Sequence, residues 1–173
     1  MISVSNTSPL IFASKVPKIL DLLKDTYEGI VIPPEVYKES VDEALKSDKP
    51  GVRESGLAIK KLVDDGFVMV KELDDDSLAI KQSFTGVGEG EASAIALAVQ
   101  EKIKYILVDE KRATTIAKSL GLKIKPISIL PVEACRKGLL GKNAAIELLD
   151  ELIANQYRLS IKDYKKIMAL LEG

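Results

Sequence analysis

Apolar positions along this chain follow two rhythms. Short runs with few polar breaks, at residues 2–4, 30–32, 67–70 and 105–108, favour β-branched side chains and read as buried strands, with a shorter fifth at residues 123–127. Between them apolar residues return every three or four positions, the spacing of one helix face. Ser8 and Pro9 precede Leu10, Ile11, Phe12 and Ala13, which predicts an N-cap and a first helical position. A helix from Pro17 carries Ile19, Leu20 and Leu23 on one face. Pro33 and Pro34 open another, with Tyr37, Val41, Ala44 and Leu45 inward and Glu35, Glu39 and Asp42 on the solvent side. After a polar break at residues 46–51, Val52, Ile59 and Val63 mark a helix closed by Gly66, and Asp74, Asp75 and Asp76 cap residues 78–82. Ala92, Ile95, Ala96, Val99 and Ile103 form a small-residue face suited to packing on a sheet. Ala113, Ile116, Ala117 and Leu120 lead to Gly121, and residues 129–137 lead to Gly138. Residues 143–155 are amphipathic through Ala145, Leu148, Leu149 and Leu152. Ser160 and Asp163 cap a last helix with Ile161, Tyr164, Met168 and Leu171 inward. Strands separated by helices predict a single α/β domain over residues 1–173 with a parallel sheet, the helices from about 143 onward packed on it.

Composition then narrows the chemistry. At 173 residues and 46% hydrophobic content the chain can bury a substantial core. It has no histidine and one cysteine, Cys135, which excludes Ser-His-Asp and Cys-His nucleophiles, zinc sites built on those ligands, and a disulfide framework. Carboxylate, amide, hydroxyl and ammonium groups remain. Cys135 falls mid-helix and reads as a small core residue. The lone thiol suits a reducing compartment, no apolar run approaches the roughly 18 to 20 residues of a bilayer span, and residues 1–5 lack a secretory pattern. A cytoplasmic protein without a membrane partner is expected. The net charge of -1 is unevenly spread: residues 1–100 hold 11 Lys+Arg against 17 Asp+Glu, and residues 101–142 hold 10 against 4. That basic segment, with Lys111, Arg112, Lys118, Lys123, Lys125, Arg136, Lys137 and Lys142, is either a polyanion surface or a set of solvated faces.

Acidic residues stand at the ends of elements that should be buried. The strand at residues 105–108 stops at Asp109 and Glu110, and in a parallel α/β sheet ligands bind beyond the carboxyl ends of strands. Asn6 ends the first strand in the same way, within the polar run Ser5-Asn6-Thr7-Ser8. The segment Gly86-Val87-Gly88-Glu89-Gly90-Glu91 leads into a helix but makes a poor phosphate loop, since no clear strand precedes it and two glutamates would repel a pyrophosphate. Its glutamates read equally well as metal ligands or as helix-dipole partners.

VSNTSPLI at a strand end, the helix PPEVYKES, GEGEASAIALA and the strand YILVDE, in this order, resemble the PIN-domain nucleases. The resemblance is to the branch with a glycine-glutamate lead-in to the third acidic position, and it extends over most of the chain. It implies a small twisted parallel sheet with helices on both faces. It also implies a ribonuclease, many such proteins being VapC-type toxins of prokaryotic toxin–antitoxin pairs, with RNA as substrate and an antitoxin as partner. By the match, Asn6, Glu39, Glu91 and Asp109 stand where the family places its acidic quartet and would hold Mg²⁺ or Mn²⁺, Glu91 and Asp109 as primary ligands and Glu39 and Asn6 as secondary or water-mediated ones. Glu110 and Glu89 would be supporting oxygens and Ser8 and Thr7 supporting hydroxyls, while position alone makes Lys111, Arg112 and Thr114 candidate phosphate contacts. The departure is Asn6, where most active members have Asp: an amide oxygen coordinates a hard cation without adding charge, so it holds the ion less tightly.

Converging carboxylates repel one another unless a cation shares their site, and oxygen-only ligands favour Mg²⁺ or Mn²⁺ over zinc. Such an ion activates water and stabilises a pentacovalent phosphate. Two other readings stay open: a catalytically silent module of this fold that binds RNA or a protein, which would explain Asn6, and an aspartyl-phosphate phosphotransfer enzyme, which lacks its nucleophile where the chain has Asn6. Exposed apolar residues on the two C-terminal helices point to a homodimer.

Overall fold

The structure is a computed structural model that describes residues 1–172. Five strands, β1 (Ile2–Ser5), β2 (Gly29–Ile32), β3 (Val68–Val70), β4 (Tyr105–Leu107) and β5 (Lys123–Ile124), form one parallel sheet in the order β3-β2-β1-β4-β5. Ten α-helices among the described residues surround it: α1 (Thr7–Lys15), α2 (Pro17–Thr26), α3 (Pro34–Tyr37), α4 (Pro50–Asp64), α5 (Asp75–Gln82), α6 (Glu89–Gln100), α7 (Lys111–Ser119), α8 (Leu130–Arg136), α9 (Lys142–Ala154) and α10 (Ile161–Glu172). The expected α/β architecture is therefore the one observed, and none of these helices is long and apolar enough to cross a membrane.

The strands lie between two apolar layers because their side chains alternate. Ile30, Ile32 and Leu107 point to the side of α1, α2, α4, α8 and α9, where Leu10, Ile19, Leu23, Ile59 and Leu62 are fully or almost fully buried. Val4, Val31, Ile106 and Val108 point to the other side, against Ala94, Ile95, Leu97 and Ala98 of α6 and Ala113 and Ala117 of α7. The run of alanines lets α6 lie close to the sheet. Val132, Leu149 and Ile167 form a smaller cluster that attaches α10.

Several local expectations are corrected, each for a backbone reason. The first helix starts at Thr7 with Asn6 at its N-cap position, so Ser8 and Pro9 lie inside its first turn. The fifth strand stops at Ile124 because Pro126, which has no N–H to pair, leads into a 3-10 turn at Ile127–Ile129. The helix with the alanine face ends at Gln100, where Lys102 takes a positive φ of 54° and Ile103 N–H returns to the Ala98 carbonyl at 3.0 Å. That is a Schellman ending, and it keeps Ile103 against the same core from outside the helix. Cys135 is half-buried rather than core. In α10 the buried residue is Ile167, while Ile161 is 78% exposed.

Candidate active site

The strand order places β1 and β4 side by side at the point where successive strands begin to be added on the opposite edge. Ligands of parallel α/β sheets bind at such a switch point, beyond the carboxyl ends of the strands. Ser5 pairs with Leu107, and Asn6 N–H donates to the Leu107 carbonyl at 3.2 Å, so the chain carrying Asn6 and the chain carrying Asp109 leave the sheet together. Asn6 is 2% exposed. Although it occupies an N-cap position, its side chain makes no capping bond; its Nδ2 donates instead to Glu91 Oε1 at 3.3 Å. Its Oδ1 is buried without a partner.

Asp109 is held on one side only. The Tyr157 hydroxyl donates to Oδ1 at 2.6 Å, while Oδ2 is buried and unpartnered. Burial pushes the Asp109 carboxyl above its ordinary pKa, against the opposing effects of the Tyr157 hydroxyl and the nearby Ile127 backbone. Two desolvated, unsatisfied oxygens, Asn6 Oδ1 and Asp109 Oδ2, thus belong to adjacent strand tips.

Glutamates 89 and 91 diverge because residues two apart on a helix do not share a face. Glu91 reaches Asn6, whereas Glu89 points outward and pairs with Lys81 at 3.0 Å, which also binds Glu35 at 2.6 Å. The glycines between them serve close approach. A Cβ at residue 88 would collide with Glu91 Oε2, and one at residue 90 would lie 3.0 Å from Glu39 Oε2. Gly88 is the notch into which Glu91 folds back, and Gly90 is the notch that admits Glu39.

Glu39 departs most from the periodicity. It is half-buried instead of solvated, and its Oε2 accepts from the Thr7 hydroxyl at 2.5 Å. The reason is a π-helical segment, Lys38–Glu43, continuing α3. Its i to i+5 bonding widens the turn and rotates later side chains away from an ideal helix's positions. An open cavity of about 300 Å³, lined by Lys15, Glu43 and Ser55 among others, lies beside it. The hydroxyl that reaches a carboxylate here is that of Thr7, not of Ser8.

The remaining candidates are more peripheral. Glu110 caps α7, accepting from Ala113 N–H at 2.7 Å, so its side chain is already engaged. Lys111 and Arg112 are exposed on the first turn of α7, with the Arg112 guanidinium beside Gly86, and Thr114 is half-buried. Tyr157 was not indicated by periodicity. Its available signal was its chemistry, since a buried tyrosine hydroxyl needs a polar partner.

The family model DUF3368, described as a PIN domain, matches residues 2–173. The chain belongs to the PIN-domain family. No curated protein and no solved structure matches it. PIN domains are generally nucleases, and such nucleases generally use divalent metal ions. The donors of this PIN domain suit a hard cation, because they are all oxygens and two of them are buried with no other partner. Among the described residues no three His, Cys, Asp or Glu side chains converge closely enough to hold an ion.

Proposed function

We propose that this PIN domain is a Mg²⁺- or Mn²⁺-dependent endoribonuclease whose ion is held by Asp109 Oδ2 and Asn6 Oδ1, with Glu91 behind Asn6. The observation that carries the reading is the pair of buried, unpartnered oxygens at the β1 and β4 tips. Leaving both unsatisfied in a folded protein is costly, and a cation removes the cost. When bound, the ion supplies Lewis acidity toward the phosphate and lowers the pKa of water. Glu39, fixed by Thr7, adds a carboxylate that can orient water, and Lys111 and Arg112 at the start of α7 can hold the RNA backbone. The chain contains no imidazole to compete as general base.

The deciding experiment is cleavage of a mixed-sequence single-stranded RNA with Mn²⁺ or Mg²⁺. Loss of cleavage both in EDTA and in Asp109→Asn is the expected result, and cleavage that survives either one would overturn the reading. A VapC-type toxin role follows if induced expression arrests growth and a partner protein relieves the arrest. Ile153, Ile161 and Leu170, exposed on α9 and α10, support a homodimer through these helices, which light scattering tests.

One observation favours a second reading, a silent binding module. The Asn6 amide already satisfies Glu91 without any ion. Under that reading the wild type folds, binds RNA and cuts nothing.

A further inference from the structure

We propose that Tyr157 is a positioning residue that selects which oxygen of Asp109 faces the metal site; this rests on the metal-dependent reading above. A carboxylate with one oxygen fixed has little freedom left for the other. Tyr157 donates to Oδ1 at 2.6 Å, leaving Oδ2 as the buried oxygen without a partner. The phenol is oriented in turn. Ser128 Oγ, itself buried, lies 3.3 Å from the Tyr157 oxygen, and since a phenol carries one proton, which Asp109 accepts, the serine can serve as donor to it. The ring meets Phe12 edge-on, with centroids 5.1 Å apart and planes at 86°. Phe12 belongs to α1, the helix that begins beside Asn6, so the tyrosine is referenced to both strand tips.

The backbone under Tyr157 is equally determined. Helix α9 closes in a Schellman motif: Gln156 N–H returns to the Ile153 carbonyl at 2.9 Å and Tyr157 N–H to the Leu152 carbonyl at 3.0 Å. The position that favours glycine is filled by Gln156, at φ 70°. A non-glycine residue in that conformation is uncommon and costs free energy. The result is that Tyr157, from the far end of the chain, is delivered into the core against Phe12 and Leu152. Groups that orient metal ligands from behind typically change metal affinity tenfold to a hundredfold when removed.

The test is Mn²⁺ binding by titration calorimetry on the full chain, with Tyr157→Phe, Ser128→Ala and Asp109→Asn. Tyr157→Phe keeps the ring and deletes only the donor. It is expected to weaken Mn²⁺ binding about tenfold, to retain a cooperative melt, and to recover most RNA cleavage at saturating Mn²⁺. Ser128→Ala should move affinity the same way by less. If Asp109→Asn abolishes binding while Tyr157→Phe binds as the wild type does, the positioning role is overturned and the metal site stands. A lower melting temperature in Tyr157→Phe with unchanged Mn²⁺ affinity likewise reduces the residue to packing. If the wild type binds no Mn²⁺, the metal-dependent reading fails, and this role with it.

Discussion

Asn6→Asp exchanges an amide that donates to Glu91 at 3.3 Å for a carboxylate facing a carboxylate, at a position 2% exposed. Two unit charges at that separation repel by about 5 kcal/mol at an effective dielectric of about 20. Proton uptake limits the penalty, since protonating an ordinary aspartate at pH 7 costs about 4 kcal/mol. Glu91 is half-exposed to water, which screens the pair further and leaves a loss of about 2 kcal/mol. For a chain of this length that lowers the melting temperature by about 4–8 °C. A divalent ion shared by the two carboxylates cancels the repulsion, so Mn²⁺ should protect Asn6→Asp by several degrees more than the wild type, and cleavage should rise with it. The assay is thermal unfolding in EDTA and in Mn²⁺, run beside RNA cleavage. A variant that melts with the wild type in EDTA would refute the repulsion, and an equal rise of both melting temperatures in Mn²⁺ would refute its relief by the ion.

Gly90→Ala should separate stability from function. Alanine is favoured over glycine in a helix by up to about 1 kcal/mol, yet its Cβ would lie 3.0 Å from Glu39 Oε2 and displace that carboxylate. An unchanged or raised melting temperature with reduced cleavage is expected; full activity would count against the notch. The pH dependence of folding should involve Lys81. Burial raises the Glu35 pKa, but the Lys81 hydrogen bond and further donors outweigh it and hold the carboxyl below its ordinary value of 4.5. The folded state therefore binds fewer protons than the unfolded chain in that window, so this stabilisation is present above it and is lost as pH falls through the lowered pKa. In urea titrations the gap between wild type and Lys81→Met should be full at neutral pH and narrow in acid; a pH-independent gap would assign it to packing. Replacing Lys111 and Arg112 with alanine should lower the slope of log affinity for single-stranded RNA against log salt by about 1.4, at about 0.7 per lost phosphate contact. An unchanged slope would mean that these cations face only solvent.

What the sequence could reveal depended on whether a local rule governed the position. Buried strands announce themselves as short β-branched runs, and Gly66, Gly121 and Gly138, all at positive φ, ended helices where glycine is cheapest. Lys102 and Gln156 make the same ending without glycine, so nothing in the sequence marked them, and Tyr157 was missed along with Gln156. Asp109 was legible because a carboxylate after an apolar strand has no local explanation. Glu39 was legible only through the family match, because helical periodicity assumes a regular turn and the π-helical segment breaks it. The glycines at 88 and 90 were visible as residues, but the side chains that occupy their missing Cβ positions come from tertiary packing.

The strand order also fixes when this site can exist. β1 precedes both of its sheet neighbours in the chain, yet one of them, β4, is separated from it by about a hundred residues, so half of its pairing waits for long-range closure. β1, β2 and β3 can associate earlier, with Asn6 at an unfinished edge. Asp109 arrives with β4, and its hydroxyl partner only with Tyr157, beyond α9. During synthesis Asn6 and Asp109 come together only once β4 has emerged, and Asp109 gains its hydroxyl partner only with Tyr157, so a product interrupted before β4 is expected to be inert.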